Sequence, residues 1–142
     1  MSPDYQKSRV YAWEQTELHD LGLVPRERAQ DLVNFIWTSE GLVYPPSVID
    51  IHVNTKKWAG WANRCEIALQ PMVSTKTIIH EVAHSMCATV DGDSNGHGPW
   101  WMGVYMKLLE KHMKIPLSVL MYTADRDGID FNITAYPIFL DD

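Results

Sequence analysis

The run His80-Glu81-Val82-Ala83-His84 constrains this chain more than any other part of it. On an α-helix, side chains four positions apart lie on the same face, so the imidazoles of His80 and His84 can bind one ion. Glu81 lies about 100° around the helix from His80, close enough to contact a metal-bound water without being a ligand. The run therefore predicts a metal-binding helix with Glu81 as a general base. Zinc is the expected metal, because it binds imidazole readily and its catalytic sites keep three protein ligands and one water.

The residues around this run support a helix with two different faces. Ser74 is a suitable N-cap, and the helix is predicted from about Thr75 to Val90. At 100° per residue, the apolar side chains collect on one side, away from the two histidines. These apolar residues are Ile78, Ile79, Val82, Ala83, Met86 and Val90. One face can therefore pack on a core while the face with the histidines lines a cleft.

A third ligand is expected directly after the loop 91–96, whose two glycines are free to take positive φ. His97 follows this loop, and a sharp reversal would bring its imidazole to the first two. The remaining histidines are weaker candidates: His19, His52 and His112. His52 lies in a predicted strand, and His112 shares the apolar stripe of the next helix, which is typical of a packed or capping histidine. His97 is therefore the predicted third ligand.

The same loop begins like an EF-hand calcium site, with Asp91, Asp93, Asn95 and Gly96 at matching positions. The twelfth position of such a site should hold a bidentate glutamate, and here it is Met102. A proline also falls inside the would-be calcium loop. A turn is therefore the better interpretation of this segment.

The rest of the chain alternates helical and β-like patterns. Further helices are predicted over residues 8–20, 25–41, 99–113 and 117–123. Two alternating runs, 48–53 and 64–69, predict strands joined by a hairpin connection over 54–63, and Pro71 ends the second strand. The tail, 128–142, is predicted to be extended. We therefore expect an α+β fold in which a small β-sheet packs against the motif helix and further helices.

Composition narrows the class of protein. With 142 residues, 46% hydrophobic and 21% charged, the chain fits one globular domain over residues 1–142. Its net charge of −6 gives no support for nucleic-acid binding. The nearest basic cluster, Lys56, Lys57 and Arg64, is interpreted as scattered solvated charge.

The two cysteines form no C-x-x-C pair, and no apolar signal core or membrane span is recognisable. We therefore expect a cytoplasmic protein.

A second motif, G-H-G-P-W-W at residues 96–101, places twelve residues between His84 and His97. Together with H-E-x-x-H it resembles the SprT-like and Spartan-like zinc metallopeptidases, which pair that run with a later H-G-x-x-[aromatic] element. The predicted strand, short loop and motif helix also fit, and the resemblance covers about residues 48–113. The first motif is shared by many zinc peptidases, whereas the G-H-G-P element makes the resemblance specific.

The resemblance implies a zincin-like core with one Zn²⁺ per chain. It assigns His80, His84 and His97 as zinc ligands, Glu81 as the catalytic acid and base, and Trp101 as the packing aromatic after H-G. No C-terminal zinc ribbon is recognisable, so cleavage of DNA-linked proteins is not implied. A catalytic core of this kind on its own suits a phage-encoded or small bacterial protein, located in the host cytoplasm if a phage encodes it.

The function that follows is hydrolysis of peptide bonds in a protein or peptide substrate, with Glu81 moving the proton. A substrate could lie extended along a strand and use its main-chain hydrogen bonds. The candidate strand comprises Arg64, Cys65, Glu66, Ile67, Ala68 and Leu69. Tyr105 or Tyr136 could supply a further donor to the oxyanion, although a packing role is more typical of each.

Two other interpretations fit the same residues. A zinc-stabilised but catalytically silent module could bind a protein or DNA, with Trp58 and Trp61 forming an exposed contact surface. Glu81 argues against this alternative, because a scaffold has no use for a glutamate at that position. In a third interpretation no metal binds, and chelation would then leave stability unchanged.

Overall fold

The computed structural model describes residues 4–18, 22–51, 60–88 and 96–137, which form an α+β fold. Within these ranges the helices are α1 (Lys7–Glu17), α2 (Arg26–Ser39), α3 (Thr75–Met86), α4 (Pro99–Met113) and α5 (Leu117–Arg126). The strands are β1 (Leu23–Pro25), β2 (Ser47–Asp50), β3 (Gly60–Ala62), β4 (Glu66–Leu69) and β5 (Met72–Ser74). The α+β prediction is therefore confirmed.

The larger sheet has three strands in the order β2-β4-β3, with β4 in the centre. β2 pairs with β4 in parallel, whereas β3 pairs with β4 antiparallel. The predicted hairpin between residues 48–53 and 64–69 is therefore wrong. The tight turn instead joins β3 to β4, where the side chain of Asn63 accepts hydrogen bonds from the backbone N–H groups of Cys65 and Glu66.

A second, two-stranded sheet is formed by β1 and β5, which no pattern in the sequence predicted. Each strand has three residues, too few to show a period of two. Pro25 ends β1 and is the N-cap of α2 rather than a residue of its first turn. Of the predicted connection 54–63, residues 54–59 lie outside the described ranges, and its last part contains β3.

Helix α3 carries the H-E-x-x-H run through the centre of the fold. Ser74 caps it as predicted, because its hydroxyl accepts a hydrogen bond from the backbone N–H of Thr77. The helix ends at Met86, before the predicted end at Val90, a residue outside the described ranges. It packs against α2, α4 and three strands, and every residue from Ile78 to Met86 is buried. The motif is therefore held on a rigid element.

Helix α4 begins and ends where the sequence predicted, with Pro99 in its first turn. The following tail crosses it closely, since a Cβ at Gly103 would lie only 1.8 Å from the carbonyl oxygen of Asn132. The described part of this tail, 129–137, is irregular rather than extended. At 15 residues α4 is the longest helix, and none in the described ranges is long and apolar enough to cross a membrane.

Large aromatic side chains supply much of the core. Trp13, Trp37, Trp101 and Tyr105 are fully buried among α1, α2, α3 and α4. Burial of side chains this large contributes strongly to stability in a chain of modest length. The indole N–H of Trp13 also donates to the hydroxyl of Thr123 at 2.8 Å, which holds α1 against α5. This packing is what fixes α1 beside the motif helix.

Candidate metal centre

Three histidines come together at the end of the motif helix. His80 and His84 lie on α3, and His97 lies two residues before α4. Their Nε2 atoms form a triangle: 3.2 Å between His80 and His84, 3.2 Å between His80 and His97, and 3.1 Å between His84 and His97. All three side chains are buried. The arrangement brings one nitrogen from each imidazole to a common point and could hold a metal ion.

The dimensions of this triangle fit a tetrahedral metal ion. Bonds of about 2.0–2.1 Å at tetrahedral angles separate two ligand nitrogens by about 3.3 Å, close to the distances found here. The Nδ1 atoms of His80 and His97 face carboxylates, which accept hydrogen bonds and so place the ring protons on Nδ1. The Nε2 lone pairs of these two rings then point at each other, an arrangement that a cation between them relieves.

Glu14 orients the first of these imidazoles from α1. Its carboxylate accepts a hydrogen bond from Nδ1 of His80 at 2.7 Å and another from the hydroxyl of Tyr105 at 2.5 Å. Burial alone would raise the pKa of Glu14, but these hydrogen bonds and the charge of His80 outweigh burial and lower it. Glu14 is therefore a buried carboxylate that stays ionised, which is the usual partner of a metal-binding histidine.

Asp4 orients His97 in the same way. One carboxylate oxygen accepts from Nδ1 of His97 at 2.5 Å, and both oxygens lie 3.1 Å from its backbone nitrogen. Gly96 permits this approach, because it has a φ of +77° and a Cβ there would lie 2.9 Å from an oxygen of Asp4. Gln6 adds a hydrogen bond to the carbonyl of His97 at 2.7 Å. The start of the chain thus fixes the third imidazole.

Trp101 packs against all three imidazoles from the side of α4. Its ring stacks on His84 with a centroid distance of 4.9 Å and meets the rings of His80 and His97 edge-on at 4.9 and 4.7 Å. Tyr105 in turn stacks on Trp101 at 4.7 Å. This apolar wall excludes water from one side of the site, in agreement with the packing role expected for Trp101.

Burial and mutual repulsion keep two of the imidazoles neutral. The pKa of His84 lies well below its usual value because of burial and because of the charges of His80 and His97. Burial also lowers the pKa of His97, against the opposing effect of Asp4. Contact with Glu14 overcomes burial and raises the pKa of His80. A metal ion binds the neutral form of imidazole, so the state of His84 and His97 favours binding.

Glu81 lies beside the triangle and lines an open cavity of about 500 Å³. Burial raises the pKa of Glu81 to about 7. The charge of His80 lowers this pKa, whereas the charge of Glu14 raises it further. No hydrogen bond joins its carboxylate to another described residue. The group is therefore able to exchange a proton near neutral pH. The other lining residues are Lys7, Tyr11, Glu14, Gln15, Gly60, Ser74, Lys76, Thr77 and His80.

Of the weaker histidine candidates, His112 is described by the structure and does not join the site. His19, His52 and the loop residues 91–95 lie outside the described ranges. His112 is in the last turn of α4, where its Nε2 lies 3.5 Å from the hydroxyl of Ser39. The packed or capping role that was expected for His112 agrees with the half-buried position of its side chain.

Neither tyrosine suggested as an oxyanion donor lines the cavity. The hydroxyl of Tyr105 donates to Glu14, and Tyr136 is exposed and packs against Trp100. Tyr105 also stacks on Trp101, so both tyrosines agree with the packing role that was the more typical expectation, and neither position supports an oxyanion donor.

The strand proposed to hold a substrate, residues 64–69, also needs correction. β4 pairs with β2 on one side and with β3 on the other, so its main chain has no free edge for a peptide. Arg64 lies before the strand, with its guanidinium 4.6 Å from the ring centre of Trp37 and donating to the carbonyl of Tyr44. It is buried, so the interpretation of its charge as solvated is wrong.

Sequence reasoning missed every contribution of α1 and the residues before it. Asp4 and Glu14 are separated from their histidine partners by 93 and 66 positions. A metal-binding histidine is expected to have a carboxylate behind it, but no spacing rule selects two from the 18 acidic residues of the chain. Only the packing of α1 shows which ones lie there.

Comparisons with known proteins add no assignment. No family model, curated protein or solved structure matches this chain. Inference about its function therefore starts from the geometry of the three histidines, Glu81 and the cavity.

Proposed function

We propose that this protein is a zinc-dependent metallopeptidase with a zincin-like core similar to the SprT-like family. The observation that carries the proposal is a buried triangle of three imidazole nitrogens with the carboxylate of Glu81 beside it in an open cavity. Three protein ligands with room for a further group are the pattern of catalytic rather than structural zinc sites. The G-H-G-P element after the motif helix supports the resemblance to that family.

Zinc is the metal that this set of donors favours. The three ligands are imidazoles, two of them with lowered pKa values, and no thiolate or carboxylate lies among them. Imidazole suits zinc, whereas magnesium and calcium prefer oxygen ligands. Asp4 and Glu14 supply two negative charges behind the ligands, which partly balance the charge of a divalent ion.

Bound zinc would lower the pKa of a coordinated water toward 7 and polarise the scissile carbonyl. Glu81 accepts the proton of the attacking water, for which a pKa of about 7 is well matched. The new C–O bond forms as the carbonyl π electrons move onto oxygen. Glu81 then gives the proton to the amide nitrogen, the C–N bond breaks, and the products are an amine and a carboxylic acid, which loses its remaining proton to water. His80, His84 and His97 stay fixed throughout, because Trp101 and the two carboxylates hold their rings.

An extended peptide would lie along β3 rather than β4. In the described ranges β3 pairs on one side only, and its first residue, Gly60, lines the cavity with Glu81. A Cβ at Gly60 would lie 2.6 Å from the carbonyl oxygen of Ala68 and 3.5 Å from Cγ of Glu81. The absence of a side chain thus keeps the edge of the sheet close to the proposed reacting group. A substrate strand can add to this edge through main-chain hydrogen bonds.

The burial of Glu81 argues against a silent binding module. A carboxylate buried without a hydrogen-bond partner among the described residues destabilises a fold when it is ionised. A scaffold would gain from glutamine or an apolar residue at position 81. The suggested contact surface finds no support, since Trp61 is half-buried and Trp58 lies outside the described ranges.

The experiment combines zinc analysis with hydrolysis of denatured β-casein and of a proteome-derived peptide library. We expect one zinc per chain and cleavage by the wild type. Glu81→Gln should keep the zinc and lose hydrolysis, because the amide cannot accept the proton. Glu27→Gln, at an exposed position in the first turn of α2, is the matched control and should behave as the wild type. Full activity in Glu81→Gln would show that the mechanism is wrong.

A further inference from the structure

We propose that Tyr11 is a catalytic residue whose hydroxyl donates a hydrogen bond to the substrate carbonyl oxygen as negative charge develops on it. This inference rests on the proposed peptidase function. It replaces Tyr105 and Tyr136 as the source of that donor, and it assigns a chemical role to α1.

The position of Tyr11 places its ring at the open side of the metal centre. The ring centroid lies 5.2 Å from that of His97, edge-on, and 6.0 Å from that of His80. Tyr11 is 42% exposed and lines the same cavity as Glu81. The cavity has one wall from α1, which carries Tyr11, and another from α3, which carries Glu81. A substrate carbonyl bound in this cavity beside the metal centre would therefore have Tyr11 on the α1 wall and Glu81 on the α3 wall.

The hydroxyl of Tyr11 is free to act on a substrate. In the described ranges Tyr11 contacts the two imidazoles and the ammonium group of Lys7, which lies 5.8 Å from its ring centre, and its hydroxyl makes no hydrogen bond. The hydroxyls of two other tyrosines, by contrast, are already engaged in hydrogen bonds. Tyr5 donates to Asp130, and Tyr105 donates to Glu14.

A phenol at this place supplies a neutral hydrogen-bond donor that packs against the proposed ligands. Lys7, Ser74, Lys76 and Thr77 also line the cavity and carry donors, and the hydroxyls of Ser74 and Thr77 bond each other. Of the donors that line the cavity, Tyr11 is the one whose ring contacts both His80 and His97 in the described ranges. A phenol is protonated at neutral pH and donates one hydrogen bond without giving up its proton. A donor aimed at the developing oxyanion stabilises the transition state more than the ground state. Removal of one such donor lowers kcat by about 100- to 1000-fold in well-studied sites.

The test is Tyr11→Phe, which keeps the ring and its contacts with the histidines. We expect unchanged zinc content and melting temperature, a fall in kcat of roughly 100- to 1000-fold on β-casein peptides, and little change in KM. Tyr122→Phe, the same substitution at an exposed position of α5, is the matched control and should have no effect. Loss of zinc in Tyr11→Phe would overturn the inference, because the hydroxyl would then act on the metal site and not on the substrate.

A binding measurement separates transition-state from ground-state effects. The probe is a phosphinic isostere of the casein peptide bond that the wild type cleaves fastest. Calorimetry should show that Tyr11→Phe weakens binding of this probe by roughly 10- to 100-fold. The uncleaved peptide should bind equally to Glu81→Gln and to the double variant Glu81→Gln/Tyr11→Phe. Equal binding of the phosphinic probe to wild type and Tyr11→Phe would overturn the role of Tyr11 but would leave the proposed peptidase function intact. Failure of the wild type to cleave both casein and the peptide library would instead overturn the proposed function.

Discussion

Helices α1 and α3 both face the metal centre, but they serve it in different ways. α3 supplies two ligands and Glu81 from five consecutive residues, so helical geometry alone brings them together. α1 and the residues before it supply Tyr11 and the carboxylates that orient His80 and His97, at sequence distances of 66 and 93 positions. Binding groups are thus encoded locally, and the groups that orient them depend on tertiary packing.

This contrast sets an order for the effects of substitutions. Residues of α3 that bind the metal or move the proton should show the largest changes. Residues that orient a ligand from α1 should show changes in affinity of about 10- to 100-fold, as outer partners of metal ligands do.

Removal of a ligand on α3 should abolish metal binding. His84→Ala leaves two imidazoles, so the purified protein should contain close to no zinc and should not hydrolyse peptides. Zinc analysis by mass spectrometry with an activity assay measures both. His112→Ala, at the far end of α4, is the matched control. Normal zinc content in His84→Ala would contradict the assignment of α3 as the helix that binds the metal and α1 as the helix that orients the ligands.

Glu81 should destabilise the metal-free protein at neutral and higher pH. Burial raises its pKa from 4.5 to about 7, so the folded state holds the proton more tightly than the unfolded chain. The resulting stability is complete below about pH 4.5 and is lost as the pH rises through about 7. Glu81→Gln should therefore be more stable than the wild type at pH 8, on the order of 3 kcal/mol, and similar at pH 4. Urea unfolding in the presence of a chelator measures this difference, and parallel pH profiles would contradict it.

Glu14 provides the sharpest test of α1. Glu14→Gln removes the negative charge behind His80 while keeping a similar shape, so zinc affinity should fall by about 10- to 100-fold. Competition with a chromogenic chelator gives this affinity. Glu17→Gln is the control on the same helix, because Glu17 forms only an exposed pair with Arg126 at 2.8 Å. An unchanged affinity in Glu14→Gln would mean that α1 does not act on the metal.

Asp4 should show the smallest of these effects. Its carboxylate is partly exposed, with 24% of the side chain accessible, and solvent weakens its field at His97. Asp4→Asn should therefore lower zinc affinity by about tenfold, the lower end of the range for such partners. The same chelator competition applies, with Asp31→Asn at an exposed position of α2 as control. A larger loss than in Glu14→Gln would reverse the predicted order of these two carboxylates.

The division between local and distant information also explains which parts of the fold were predictable. Ser74 as N-cap and the bounds of α4 depend on residues within one turn, and both were predicted correctly. Strand pairing depends on distant partners, so residues 48–53 and 64–69 were assigned to a hairpin although β2 and β4 are parallel. The three-residue strands carry too few side chains to show a pattern.

The same reasoning applies to the site. His80, His84 and His97 could be selected as candidates from the sequence. The first two lie four positions apart on one helix face, and the glycine before the third allows the sharp turn that brings its imidazole to them. Tyr11 and Glu14 belong to a helix whose sequence shows no regular apolar stripe, and Asp4 lies before that helix. Their place follows from the burial of Val10 and Trp13 and from the bond of Trp13 to Thr123. The packing of α1 against the rest of the fold leaves no spacing pattern in the sequence from which it could be predicted.

The most direct test of the account is zinc K-edge X-ray absorption on the purified wild-type protein. The account predicts one zinc per chain with four nitrogen or oxygen neighbours at about 2.0–2.1 Å and the outer-shell scattering of three imidazoles. A protein without zinc after purification and reconstitution would contradict it. So would a sulfur neighbour at about 2.3 Å, which would place the metal at a cysteine instead of the histidine triangle.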